Sequence, residues 1–270
     1  MGKKTEKRAL VPAGEKNLTP WQAELLADAE AACKQNAGIG GGLFASLKSG
    51  QLSIGGNPVP GNEIAVIVLG QAAVKTYYDR AYDPATPASP ACYAIGETLE
   101  GLTPHKDSED TQCENCSECP HNVFGSALLG KGKRCRDSVS LAMIEAGTLQ
   151  AGVFHPFTDL EKIKVAEMIK MSIPPTSLKN WSNYVSGVRQ IESLPPYACA
   201  TRIRVVPDAK SQFKVEFLLA QTLPEEHARA MRARVSDATN LLQQPFPKNS
   251  DEEKSVPEVA KKPLRKGGRF

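Results

Sequence analysis

The sequence predicts an α+β fold: an antiparallel, β-rich core, readable as an OB-like barrel, with three helices and one long irregular insertion. Three observations lead there. Short apolar runs bounded by Gly, Pro and Ser turn chemistry recur along the chain, as strands of an antiparallel sheet do. Three segments carry helix-start signals followed by helical apolar spacing. From about residue 84 to 136 apolar periodicity stops, and five of the chain's seven cysteines fall there.

In chain order, residues 1–17 read as a flexible basic arm. Thr19-Pro20-Trp21-Gln22 starts a helix, with Thr19 as cap, Pro20 at the first helical position and Gln22 closing a capping box. That helix runs to about Asn36 and ends in a glycine-rich stretch. Leu43–Leu47 and Gln51–Ile54 are short strands around a Lys-Ser-Gly turn, and Ile64–Leu69 is a buried strand. Beyond the insertion, Val139–Ile144 and Lys162–Lys170 read as strands. Pro174-Pro175-Thr176 introduces a helix over Ser177–Arg189. Ala198–Val206 and Phe213–Ala220 pair as strands, and Leu223-Pro-Glu-Glu opens a last helix to about Leu242, with acids in its first turn as the dipole favours. Residues 18–244 are expected to form a single domain and 245–270 a disordered tail.

At 270 residues, 41% hydrophobic and 23% charged, the chain is ordinary for a globular protein, and its formal charge of +3 does not announce a polyanion partner. The basic start has no apolar stretch behind it, and the longest apolar run, Ile64–Leu69, is far too short to span a bilayer. An odd number of cysteines without a secretion signal points to a reducing, cytoplasmic compartment, where thiols bind metal rather than each other.

A loop this long needs something other than a core to hold it, and its cysteines suggest what. Cys113-Glu-Asn-Cys116-Ser-Glu-Cys119-Pro120 contains close Cys-x-x-Cys spacing, Cys92 lies upstream, and Cys135 sits in the hook Gly130-Lys-Gly-Lys-Arg-Cys-Arg136. A Cys-x-x-Cys turn presents two sulfurs and distant cysteines close the cage, which is what a tetrahedral zinc site requires. The knuckle is Cys116 and Cys119, Cys135 returns from the hook, and the fourth ligand is Cys92, with Cys113 as the alternative. Cys-x-x-Cys-x-x-Cys-Pro also echoes iron–sulfur spacing, but apolar residues to shield a cluster are scarce. Four thiolates leave no open position for catalysis, so the zinc reads as structural.

The hook carries Lys131, Lys133, Arg134 and Arg136, with Phe124, Tyr77, Tyr78 and Tyr82 as stacking faces. Cations beside aromatic platforms are the general means of binding single-stranded nucleic acid. Trp181 and Tyr184, three apart on a helix, are weighed as stacking faces but favoured as core. Gly125-Ser-Ala-Leu-Leu-Gly130-Lys131-Gly132 misses the P-loop pattern because Gly132 offers no hydroxyl for magnesium. The four histidines have no serine or carboxylate partners by spacing. An enzyme is not expected, although Asp107, Glu109 and Asp110 leave open a metal-dependent nuclease.

The stretch Tyr77–Asp137 resembles a group of bacteriophage zinc-ribbon proteins. The resemblance rests on Tyr77-Tyr78, Pro90-Ala-Cys92, Cys116-Ser-Glu-Cys119-Pro120-His-Asn122-Val-Phe124-Gly125-Ser126, Gly130-Lys-Gly-Lys-Arg-Cys135-Arg136 and, downstream, Ile173-Pro-Pro-Thr-Ser-Leu-Lys-Asn-Trp181. It implies Cys92, Cys116, Cys119 and Cys135 as the zinc set, Cys113 being an extra. It also implies single-stranded DNA binding in phage replication or recombination, inside an infected bacterial cell and alongside phage or host replication proteins. A protein–protein adaptor that docks through the zinc loop is the alternative.

Overall fold

The structure, a computed structural model, describes Trp21 and residues 43–80, 88–128 and 130–247. The basic arm, the rest of the helix expected over 19–36, Tyr82 and residues 248–270 lie outside the described residues.

Eleven strands follow in order: β1 (Leu43–Lys48), β2 (Gln51–Ile54), β3 (Asn57–Pro58), β4 (Glu63–Tyr77), β5 (Cys92–Gly96), β6 (Arg136–Glu145), β7 (Gly147–Gln150), β8 (Val153–Pro156), β9 (Ile169–Ile173), β10 (Cys199–Asp208) and β11 (Gln212–Thr222). The helices are α1 (Leu160–Val165), α2 (Leu178–Glu192), α3 (Glu225–Ala233) and α4 (Val235–Leu242). Nine strands make one curled sheet in the order β11-β10-β4-β6-β9-β1-β2-β3, with β5 also on β4, and β7-β8 forms a separate hairpin. All pairings are antiparallel except β1 with β9. The chain is thus α+β with a mostly antiparallel sheet.

The sheet is covered on both faces, and β4 shows why. Its continuous apolar run Ile64–Leu69 is buried throughout. Ile64, Val66 and Val68 join Leu141, Met143, Ile203 and the α2 residues Trp181, Tyr184 and Val188 in one core. Ile67 and Leu69 point the other way, to Ile144, Ile163, Met231 and Leu242 beneath α3 and α4. A strand buried on both faces needs a continuous apolar run rather than alternation. A register shift between Val68 and Gly70 bends the strand there. A Cβ on Gly70 would meet Ala238 and Leu242 at 3.4 Å, so this glycine lets α4 lie close on the sheet.

Three expectations change. Lys162–Lys170 is not one strand. The Asp159 carboxylate accepts from the Glu161 and Lys162 amides at 3.1 and 3.3 Å and caps α1, and the strand starts only at Ile169. The helix expected over Leu223–Leu242 is two, parted at Arg234, whose guanidinium leaves to donate to the Ile163 and Ala166 carbonyls at the end of α1. Among the described residues there are therefore four helices where two were expected. Packing also continues past residue 245: Phe246 meets the Tyr93 ring edge-on at 4.9 Å, and the Pro247 carbonyl accepts from Ser89.

Candidate functional site

The long strand β4 carries the site at its far end. Its first half pairs with β10, and its second half, Ala73–Tyr77, pairs with β5 on that same side, while β6 runs along the other. Tyr77 stands opposite Cys92. Thr76 stands opposite Arg136, and continuing that register by one residue brings Cys135 beside Tyr77. Directly opposed residues share a face, and Tyr77, Ala91, Cys92 and Cys135 accordingly form one buried cluster.

Between β5 and β6 the described residues of 97–135 form no strand and one short 3-10 turn, at Pro120–Asn122. Its backbone is tied down at intervals. The His105 amide donates to the Tyr93 carbonyl (2.7 Å), Asp110 to Ala91 (2.8 Å), Cys116 to Leu102 (3.1 Å) and Cys135 to His121 (2.8 Å). The Asn122 side-chain amide donates to the Cys116 carbonyl at 2.8 Å.

These ties bring Cys92, Cys113, Cys116, Cys119 and Cys135 around one cavity of about 10 Å³, with Lys75 in its wall. That is room for one small ion or atom and no more. The four cysteines of the expected zinc set are buried and Cys113 is partly exposed. Burial, reinforced by the neighbouring thiols, pushes Cys113 and Cys135 up to about 12, and Cys116 is raised for the same first reason. The Lys75 charge pulls Cys116 and Cys135 back down. Among the described residues no group of three or more His, Cys, Asp or Glu side chains is placed so that it could hold a metal ion. The donor set itself, several sulfurs lining one small cavity, is of the kind that suits a soft divalent cation.

Lys75 was not anticipated from sequence, although it is the only cation in the otherwise apolar β4 run. It is 4% exposed and paired with the carboxylate of Asp137 across the β4–β6 ladder. Its ammonium also donates to Asn122 Oδ1 at 3.3 Å. Lys133 joins the same pair of acceptors, at 3.0 Å each. Burial pushes the Asp137 carboxyl up, but the two lysines outweigh that and hold it below its ordinary value. This network locks the base of the hook to the sheet.

The hook's residues consequently differ in availability. Lys131 and Arg136 are exposed. Lys133 is engaged with Asp137 and lies 5.2 Å from the Phe124 ring centre. Arg134 covers the Tyr77 ring at 5.0 Å and reaches the Asp79 carbonyl at 3.4 Å. Phe124 is 77% exposed, on a loop fixed by the Gly125 amide donating to Gly132 (2.9 Å), the Ala127 amide to Gly132 (3.1 Å) and the Arg134 amide to Ser126 Oγ (3.0 Å).

Of the tyrosines, Tyr77 offers no stacking face. It is 6% exposed, stacked on His121 at 4.4 Å and covered by Arg134. Tyr78 is half-buried, and burial raises its phenol while nearby Arg136 opposes the rise. Trp181 and Tyr184 are core, with Trp181 donating to Gln71 Oε1 at 2.6 Å and Tyr184 bonded to the Thr201 hydroxyl. In the acidic stretch, the Asp110 carboxylate accepts from Gln112 at 2.7 Å and Asp107 lies 3.6 Å from His105 Nδ1. Neither contact builds a nuclease centre.

Among the described residues no helix is long and apolar enough to cross a membrane. No family model, curated protein or solved structure matches the chain. The resemblance to phage zinc-ribbon proteins thus stands on the motif residues alone.

Proposed function

We propose that this protein binds single-stranded DNA during phage replication or recombination, in the cytoplasm of an infected bacterium. Its zinc is structural and held by Cys92, Cys116, Cys119 and Cys135. The observation that carries the reading is the tip of the cysteine loop, where a bonded turn holds Phe124 out in solvent beside Lys133, with Lys131 and Arg136 also exposed. An exposed aromatic ring among cations serves an extended polyanion whose bases are unstacked. The curled antiparallel sheet suits an OB-like barrel, a fold whose loops bind oligonucleotides.

In this reading the metal joins the loop's two arms to the sheet, and the chain's own groups make the contact. Phe124 stacks on a base. Lys131 and Arg136 meet phosphates, and Lys133, anchored by Asp137, sets the spacing between ring and cations. Fluorescence anisotropy of labelled poly-dT at low and moderate salt, with zinc measured on the same sample, tests it. Tight, salt-sensitive binding by zinc-containing protein supports the reading, and a zinc-containing protein that binds no DNA refutes it.

One observation favours the adaptor instead. Val123 and Leu128, 58% and 73% exposed, flank Phe124 and make the loop tip an apolar knob of the kind that docks on another protein. Binding that ignores salt and DNA, but pulls down a replication protein through this tip, would establish it.

A further inference from the structure

The five thiols are one more than a tetrahedral site can use, and the surplus one is placed in a particular way. Cys113 is the only member of the group that is partly exposed, and it lines the same cavity of about 10 Å³ as Cys119. The backbone between them is held on both sides, by Cys116 on the Leu102 carbonyl and by Asn122 on Cys119 (2.9 Å), which keeps both thiols at that cavity. Cys119 is 5% exposed and walled by Cys92, Cys116 and Cys135, so Cys113 is the thiol through which a small oxidant meets the group.

We propose that Cys113 and Cys119 are an oxidation site, closing to a disulfide that withdraws Cys119 from the metal and releases it. This rests on the zinc reading above and adds a regulatory modification to the same centre. The co-reactant is a peroxide. The Cys113 sulfur, deprotonated as it reacts, attacks one peroxide oxygen. The O–O bond breaks, hydroxide leaves and takes up the Cys113 proton as water, and Cys113 becomes a sulfenic acid. The Cys119 thiolate then leaves the metal and attacks that sulfur, the S–O bond breaks, and hydroxide departs. Two sulfurs lose two electrons in total and the peroxide gains them. Three thiolates remain around the ion, too few for a closed site. With the loop's two arms no longer joined, the Phe124 tip loses its support, and reduction of the disulfide restores the site.

The test starts from reduced, zinc-containing full-length protein treated with hydrogen peroxide. Zinc release is followed with a chromogenic chelator, and disulfides are mapped by mass spectrometry of unreduced peptides. The expected result is a Cys113–Cys119 disulfide appearing in step with zinc release, both reversed by dithiothreitol and renewed zinc. Cys113→Ser, and separately Cys113→Ala, should retain zinc through the same treatment. Three outcomes overturn the proposal: release from both variants at the wild-type rate, a disulfide joining any other pair, or reduced Cys113 variants that cannot hold zinc at all. Reduced wild-type protein without zinc would sink the metal reading instead, while peptide mapping would still decide the pairing.

Discussion

At the scale of single residues, exposure separates the side chains that touch a ligand from those that hold the site together. Phe124 packs against little of the protein, so Phe124→Ala should leave the melting temperature unchanged. It should weaken poly-dT affinity about tenfold, the equivalent of ~1.4 kcal/mol and within the range of one stacked base. Lys131→Ala with Arg136→Ala removes the two proposed phosphate contacts. The slope of log affinity against log salt should then fall by about 1.4, read from anisotropy titrations at several ionic strengths. Asp137 behaves oppositely. Removing its carboxylate in Asp137→Ala leaves Lys75 buried without its anion, a change that costs about 3 kcal/mol or more. Thermal unfolding should show it as a large drop even where DNA binding survives. The five cysteines and the basic hook lie within one short stretch of sequence, and short spacing is enough to suggest that they meet at one place, as the shared cavity of the cysteines shows. Lys75 and Asp137 lie far apart in the chain and meet only through strand register, so spacing could not pair them. Tyr77 was misjudged for the same reason: nothing local says that Arg134 and His121 will cover its ring.

At the scale of elements, the edges and close approaches decide what tolerates change. The outer strand β11 exposes one side of its ladder, a liability for pairing with other chains. At Val215 that side is closed by α2: Ser177 Oγ accepts from the Val215 amide at 2.8 Å, and the Asn180 side chain donates to its carbonyl at 2.8 Å. Ser177→Ala should therefore do two things. It should cost about 1–3 kcal/mol by leaving a buried amide unsatisfied, and it should raise the tendency to self-associate, visible by light scattering on heating. Strand β4 meets α4 at Gly70, where Gly70→Val would overpack the contact and destabilise by about 1–3 kcal/mol. Most strands were legible from apolar runs and turn residues. The segment from 160 to 173 was not, because near-alternation there conceals a helix of only six residues whose existence depends on the Asp159 cap. The break at Arg234 was equally hidden, since its partners are carbonyls of another helix.

At the scale of the whole molecule, the sheet and the cysteine loop draw stability from different sources. The sheet has two extensive cores, whereas the loop contributes only two small clusters, one around Leu102 and Cys116 and one around Cys92 and Cys135. Stripping zinc with a strong chelator should therefore open residues 97–135 to limited proteolysis while the far-ultraviolet dichroism of the sheet persists. Loss of the whole dichroism spectrum would show instead that sheet and loop fold as one unit. The α+β class was readable from the sequence because it depends on many redundant local patterns. The strand order was not, since β10 returning to β4 and β1 lying parallel to β9 are long-range choices that no local pattern encodes.

The register of β4 with β6 has one more consequence. Thr76 faces Arg136 in an antiparallel pair, so everything between them occupies the place of a hairpin turn. In principle a two-residue Asn-Gly connection could bridge those strands, leaving only the flank vacated by β5 unpaired. Because loop-closure entropy grows slowly with length, so large an insertion burdens the sheet little. The cysteine loop is in that sense a graft at a turn: it can be lengthened or retuned without moving a strand, its loss would take only β5 from the sheet, and the scaffold and the loop tip are free to diverge at different rates.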